Sequence, residues 1–84
     1  MMKTIKNTKL FNLLNGMGSA DSRLENLTLT IFSQDSEFYL PEAPCIRVKR
    51  VGIYSDQVVF FDSQYEKNGI YRDNTFRIIP EEEK

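Results

Sequence analysis

The segment VVFFDSQYEKNGIYRDNTFRII, residues 58–79, decides the fold class of this chain, because apolar runs alternate in it with turn-forming residues. Its first four residues, Val58 to Phe61, form a continuous apolar run that is typical of a central strand. Lys67-Asn68-Gly69 and Asp73-Asn74 are turn signals, and Pro80 ends the pattern. The segment therefore predicts strands at 57–62, 69–72 and 75–79, joined by hairpins.

A further hairpin is predicted upstream. In NLTLTIF, residues 26–32, leucine and isoleucine alternate with threonine, and this period of two predicts a strand. The turn cluster Ser33 to Ser36 leads to a short run at 37–40, which we expect to pair with it. Pro41 and Pro44 then interrupt the pairing, because proline cannot donate to a ladder.

The next strand is predicted at 45–54, and its alternation changes phase by one residue. Apolar side chains occupy even positions up to Val48 and odd positions from Val51 onward. A bulge reconciles the two halves, and Gly52 is its predicted position.

The N-terminal part predicts a short amphipathic helix at about 4–16, starting anywhere from Thr4 to Thr8 and ending at Gly16 or Gly18. Its apolar stripe follows the spacing of one helical face: Leu10, Leu13, Leu14 and Met17. Residues 18–22 are predicted to be a linker, with one helical turn to about Asn26 as the alternative, and residues 80–84 an acidic tail.

Together these patterns predict a single α+β domain over residues 1–84, with the helix packed on an antiparallel β-meander of about five strands. The chain carries 40% hydrophobic and 27% charged residues, a composition typical of a globular protein. At this length a second core has no room to form.

Composition also limits the chemistry. With no histidine, the chain lacks the usual general base, and no glycine-rich phosphate loop is present, so we expect no enzymatic activity and no cofactor. Cys45 is the only cysteine, which excludes an internal disulfide, makes a zinc site improbable and favours a cytoplasmic setting. We expect Cys45 to be a small buried hydrophobe. No N-terminal segment is long and apolar enough to predict membrane association.

Two groups of side chains are candidate binding residues. Arg47, Lys49 and Arg50 form a compact basic group on the strand at 45–54, where alternation presents Arg47 and Lys49 on one face. Around the turn at Asn68-Gly69, residue types common in interface hot spots occur together: Tyr65, Tyr71 and Arg72.

These features predict a small binding protein that docks on a larger protein, such as a host enzyme, and inhibits or regulates it. In general type the chain resembles the small accessory proteins of bacteriophages and other mobile elements, some of which neutralise host toxins or nucleases. The alternative is a β-domain that binds RNA or another single-stranded nucleic acid through the basic strand and exposed tyrosines. A structural subunit and a homo-oligomer are left open.

Overall fold

The computed structural model describes residues 2–17 and 24–81 and has the predicted α+β fold, with five strands in one sheet. In chain order the elements are β1 (Met2–Lys6), α1 (Thr8–Asn15), α2 (Leu24–Ile31), β2 (Arg47–Val48), β3 (Val51–Ile53), β4 (Val58–Lys67) and β5 (Ile70–Ile79). The predicted linker at 18–22 lies outside the described residues, and so does the part of the predicted acidic tail beyond Glu81.

The sheet is mixed rather than purely antiparallel. Its order is β1-β5-β4-β2, and β3 also pairs with β4. The antiparallel meander holds for β2 and β3 against β4 and for β4 against β5. At the other edge β1 runs parallel to β5, from Met2 opposite Thr75 to Lys6 opposite Ile79.

The centre of the sheet is one long hairpin between β4 and β5. Its turn at Asn68-Gly69 is confirmed: both residues have positive φ, 55° and 78°, as a two-residue type I′ turn requires. The second predicted turn, at Asp73-Asn74, is wrong, and so is the division into strands at 69–72 and 75–79. Asp73 instead pairs with Gln64, whose Nε2 donates to the Asp73 carboxylate at 3.2 Å, so a turn-forming residue is satisfied inside a strand.

A β-bulge interrupts β4. Phe60 faces Phe76 and Ser63 faces Asn74, so two residues of β4, Phe61 and Asp62, oppose Thr75 alone. The bulge extends the strand predicted at 57–62 as far as Lys67. It also reverses the alternation, because Val58 and Phe60 are buried before it whereas Ser63 and Tyr65 are buried after it.

The strand predicted at 45–54 divides into β2 and β3. Its phase change is present, since Ile46 and Val48 are buried and Val51 and Ile53 pack against the same core. However, the predicted bulge at Gly52 is wrong, because Gly52 lies in regular register opposite Val59. The irregular step is at Lys49 and Arg50, which exchange backbone hydrogen bonds with the bulged residues of β4.

The helix predicted at 4–16 begins later. Residues 2–6 form β1, and the helix starts at Thr8 with Asn7 as its N-cap, whose side chain accepts from the Leu10 N–H at 2.9 Å. Gly16 is the C-cap, as predicted. Pairing with β5 therefore overrides the helical spacing at the start of the chain.

The strand predicted at 26–32 is wrong, because this segment is helix α2. Alternation predicts Leu27, Leu29 and Ile31 on one face and Thr28 on the other, whereas the helix brings Thr28 to the same side as Ile31 and Phe32. Thr28, Ile31 and Phe32 are buried at helical spacing, and Phe32 packs edge-to-face on Phe60 with ring centroids 5.9 Å apart.

The partner strand predicted at 37–40 is also wrong. Successive turns occupy this region, with backbone N–H groups of Ser36, Tyr39 and Ala43 each donating to the carbonyl three residues earlier. Pro41 fits the second position of the last turn, where its fixed φ is favourable. With residues 26–32 in a helix, residues 37–40 have no strand to pair with.

Both helices pack on one face of the sheet, which we call the inner face, and the opposite one is the outer face. Neither helix among the described residues is long and apolar enough to cross a membrane. The core between the helices and the sheet consists of Leu10, Phe11, Leu14, Ile31, Phe32, Ala43, Ile46, Val48, Val58, Phe60, Tyr65, Phe76 and Ile78.

The change from strand to helix at residues 26–32 can be tested with two alanine variants. Ile31 is 8% exposed and Leu27 is 38% exposed. Ile31→Ala should therefore lower the free energy of unfolding by about 2 kcal/mol or more, and Leu27→Ala by less than about 0.5 kcal/mol. Urea denaturation measures both, and equal losses would match the predicted strand, whose alternation buries both side chains alike, rather than the helix, in which Leu27 is the more exposed.

The hairpin turn can be tested at Gly69. In Gly69→Ala the added Cβ lies in open space, but the residue has a positive φ, which disfavours a side chain. We therefore expect the free energy of unfolding to fall by about 1 to 2 kcal/mol for conformational reasons alone. The control is Gly16→Ala, because Gly16 has an ordinary φ of −74°. We expect that control to change stability by less than about 0.5 kcal/mol in thermal or urea unfolding. Two similar losses would contradict the type I′ turn.

Candidate functional site

The basic group predicted from the sequence lies on the outer face, where the bulge opens the sheet. Arg47, Lys49 and Arg50 are all exposed. Arg47 and Lys49 line a depression of about 600 Å³, as predicted for two residues on one strand face. Polar and charged side chains supply most of the remaining lining: Asp62, Ser63, Gln64, Asp73, Asn74 and Thr75, with Phe61.

Arg50 has two partners, both from the bulge. Its Nε lies 3.4 Å from an Asp62 carboxylate oxygen, and its guanidinium carbon lies 5.1 Å from the centroid of the Phe61 ring. Because the bulge exposes both residues, it presents a carboxylate and an aromatic face to the same cation. The ion pair is exposed and adds little to stability, but it orients the guanidinium.

Two aromatic rings cover Gly52 on the outer face. A Cβ at this position would lie 2.8 Å from a ring carbon of Phe61 and 2.8 Å from one of Tyr54. Glycine therefore lets both rings approach the backbone of β3. Tyr54 remains 47% exposed, so the rings form an accessible aromatic surface rather than core.

Arg77 lies on β5, opposite Val59 and next to β1. Its Nη2 donates to the Thr4 hydroxyl at 3.2 Å, and its Nε is buried without a hydrogen-bond acceptor among the described residues. Arg77 thus adds a half-buried cation to the outer face.

The other predicted group is divided by the structure. Tyr65 is 8% exposed and packs edge-to-face on Phe76, with centroids 6.0 Å apart, so its predicted role as an accessible contact residue is not supported by its burial. Tyr71 is 62% exposed, and Arg72 is exposed as well. Tyr65 lies after the bulge, which turns it toward the inner face.

Tyr71 and Arg72 belong to the exposed end of the central hairpin, residues 66–72, which we call the arm. Toward the turn, the pairing of the described residues of β1 with β5 extends no further than Thr75, and the pairing of β2 with β4 no further than Gln64. In the part of the chain that the structure describes, the arm thus extends beyond its neighbouring strands. Ile70, 55% exposed, and Tyr71 are its large apolar side chains.

A smaller depression of about 260 Å³ joins the two predicted groups, because both Arg47 and Tyr71 line it. Cys45 also lines it and is exposed, so the expectation of a buried thiol is wrong. The reason is the backbone: Cys45 has a φ of 54°, outside strand geometry, and β2 begins only at Arg47.

Three exposed carboxylates are engaged by neighbouring side chains. Glu37 forms an ion pair with Lys9 at 2.9 Å, Asp62 pairs with Arg50, and Asp73 accepts from Gln64. Among residues 2–17 and 24–81, no group of three or more Asp, Glu or Cys side chains is placed to hold a metal ion.

Sequence reasoning missed Phe61 and Arg77 as surface residues. Phe61 was assigned to a buried apolar run, and Arg77 to a terminal strand without a role. The sequence gives no signal for the exposure of Phe61, because Val58 to Phe61 are all apolar and fit either phase of the alternation.

Comparisons with protein-family models, with curated proteins and with solved structures found no match for this chain. No relative therefore assigns a role to the arm or to the outer face.

The aromatic cover of Gly52 can be tested with Gly52→Ala. The added Cβ meets the ends of two side chains, so the rings should swing away while the sheet remains folded. We expect a stability change below about 1 kcal/mol, together with altered NMR shifts of the Tyr54 and Phe61 ring protons. Unchanged ring shifts would show that the rings do not lie over Gly52.

Proposed function

We propose that this protein is a small, non-enzymatic binding domain that docks on a larger protein through the arm and inhibits or regulates it. The observation that carries the proposal is the exposed pair Ile70 and Tyr71 at the end of a projecting hairpin. A tyrosine contributes a large apolar surface and a hydroxyl that can hydrogen-bond, which suits the centre of a protein interface.

The charges of the arm favour a protein partner over a polyanion. The arm carries Glu66, Lys67 and Arg72, the carboxylate of Asp73 adjoins it, and all four side chains are exposed. Mixed charge around an apolar centre is typical of the rim of a protein interface, where it contributes specificity and steers association. A phosphate backbone would instead be repelled by the two carboxylates.

The hairpin also suits an inhibitor. Its type I′ turn fixes the tip, and the cross-strand pairs of the arm hold Tyr71 opposite Glu66 and Arg72 opposite Tyr65. A preformed element loses less conformational entropy on binding than a flexible loop does. Two strands are narrow enough to enter a cleft, so the expected partner presents an apolar cleft with charges of both signs at its edge.

We further propose a reducing, cytoplasmic setting for this interaction. The motive is Cys45, an exposed free thiol that lines the depression beside Tyr71. A host enzyme such as a nuclease or toxin remains the expected type of partner, because the chain resembles in general type the small accessory proteins of mobile elements.

The double variant Ile70→Ser/Tyr71→Ser tests the proposal. Immobilised wild-type chain should retain a protein from a lysate of the source host after ribonuclease treatment, and the variant should not. With the purified partner, calorimetry should then show affinity weakened by at least about thirtyfold, because truncating two central contacts typically costs about 2 kcal/mol or more.

Tyr54→Ser is the matched control, because it removes an exposed tyrosine from the outer face and leaves the arm intact. It should keep the partner and its affinity. If the wild type and the double variant retain the same proteins with the same affinity, the arm is not the docking element. Inhibition is tested separately, since adding the purified chain should reduce the partner's activity at stoichiometric amounts.

A further inference from the structure

The outer face carries a second surface, separate from the arm, which we call the outer patch: Lys49, Arg50, Tyr54, Phe61 and Arg77. Its aromatic part is nearly continuous. The rings of Tyr54 and Phe61 both lie over Gly52, and the Arg50 guanidinium carbon lies 5.1 Å from the centroid of the Phe61 ring. Exposed rings and guanidinium planes are the groups on which unpaired bases stack.

The charge of the outer patch differs from that of the arm. Its three cations, with Arg47 beside them, outnumber the two described carboxylates of the adjoining depression: Asp62, which pairs with Arg50, and Asp73, which accepts from Gln64. Neither Lys49 nor Arg77 forms an ion pair with any described carboxylate. The patch is therefore locally cationic although the whole chain has a formal charge of −1. A local cationic surface of this kind is complementary to phosphate groups.

The depression beside the patch adds a third feature. Lys49 and Phe61 form part of its wall, and so does Gln64, whose side-chain amide carries both donors and an acceptor. A nucleobase needs both kinds of group along its edge and a flat apolar contact on its face. With a volume of about 600 Å³, the depression has room for a single base.

From these features we infer that the outer patch binds single-stranded polynucleotide. Tyr54 stacks on a base, the Arg50–Phe61 pair extends the stacking surface, and Lys49, Arg50 and Arg77 contact phosphates. A base beside Phe61 occupies the depression. Single strands are favoured over duplex because stacking requires base faces that a duplex keeps covered.

Fluorescence anisotropy with the full chain and labelled oligonucleotides of about 12 nucleotides, one RNA and one DNA, tests the inference. Both should bind at about 25 mM salt, and log Kd should rise with log salt with a slope of about 2, as expected for three phosphate contacts. RNA and DNA should bind within a few-fold of each other, because stacking and phosphate contacts do not read the 2′-hydroxyl. A duplex of equal length should bind at least about tenfold more weakly.

Tyr54→Leu keeps apolar cover over Gly52 but removes the ring, and it should weaken binding about tenfold. Lys49→Ala should lower the salt slope by about 0.7. The controls are Tyr71→Leu and Lys67→Ala, which make the same kinds of change on the arm and should leave Kd within about twofold. Thermal melting of each variant establishes that it is folded, and Arg50→Ala provides a second test of the patch if Tyr54→Leu does not fold.

No binding at the lower salt concentration would overturn the inference, and so would duplex affinity equal to that of single strands. Equal losses of affinity in the two arm variants would also overturn it, because binding would then not depend on the outer patch in particular. These results do not depend on the arm's partner, since no second protein is present.

Discussion

The pairing of β4 with β5, with its single-residue offset at Phe61 and Asp62, is the constraint on which the other elements depend. Every other strand pairs with one of these two, and both helices pack on the inner face of the hairpin. Without the offset, regular alternation would continue from Phe60 and turn Tyr65 away from the core. The offset keeps apolar side chains under the helices at both ends of a ten-residue strand.

The same hairpin also produces both candidate surfaces. At its turn end the hairpin extends beyond its neighbouring strands and leaves Ile70 and Tyr71 exposed. At the bulge it exposes an aromatic ring and a carboxylate on the outer face. The two surfaces differ in composition, because the arm combines two apolar side chains with charges of both signs, whereas the outer patch combines two aromatic rings with three cations. The arm and the outer patch can therefore bind by different chemistry although both belong to one pair of strands interrupted by a β-bulge.

The sequence predicts the α+β class because the strands of the central hairpin carry a strong apolar signal and the turn at Asn68-Gly69 has a strict conformational requirement. The failures have specific causes. Residues 26–31 alternate between polar and apolar side chains, yet Thr28, Ile31 and Phe32 also fit a helical face, and packing of Phe32 on Phe60 favours the helix. Strand β1 has a weak local signal, since three of its five residues are Lys or Thr, and it forms by pairing with residues more than seventy positions away.

For the candidate site, exposure was predictable where alternation was unbroken, and this placed Arg47 and Lys49 correctly on one face. The two tyrosines of the predicted interface were not distinguishable in this way. Tyr65 lies after the bulge and Tyr71 lies on the exposed arm, so one extra residue in β4 determines which ring is buried. The apolar run from Val58 to Phe61 carries no polar residue to mark its inner face, so the sequence there fits either phase. The β-bulge that positions the surface residues therefore cannot be recognised from the sequence, although the segment around it has the strongest strand signal.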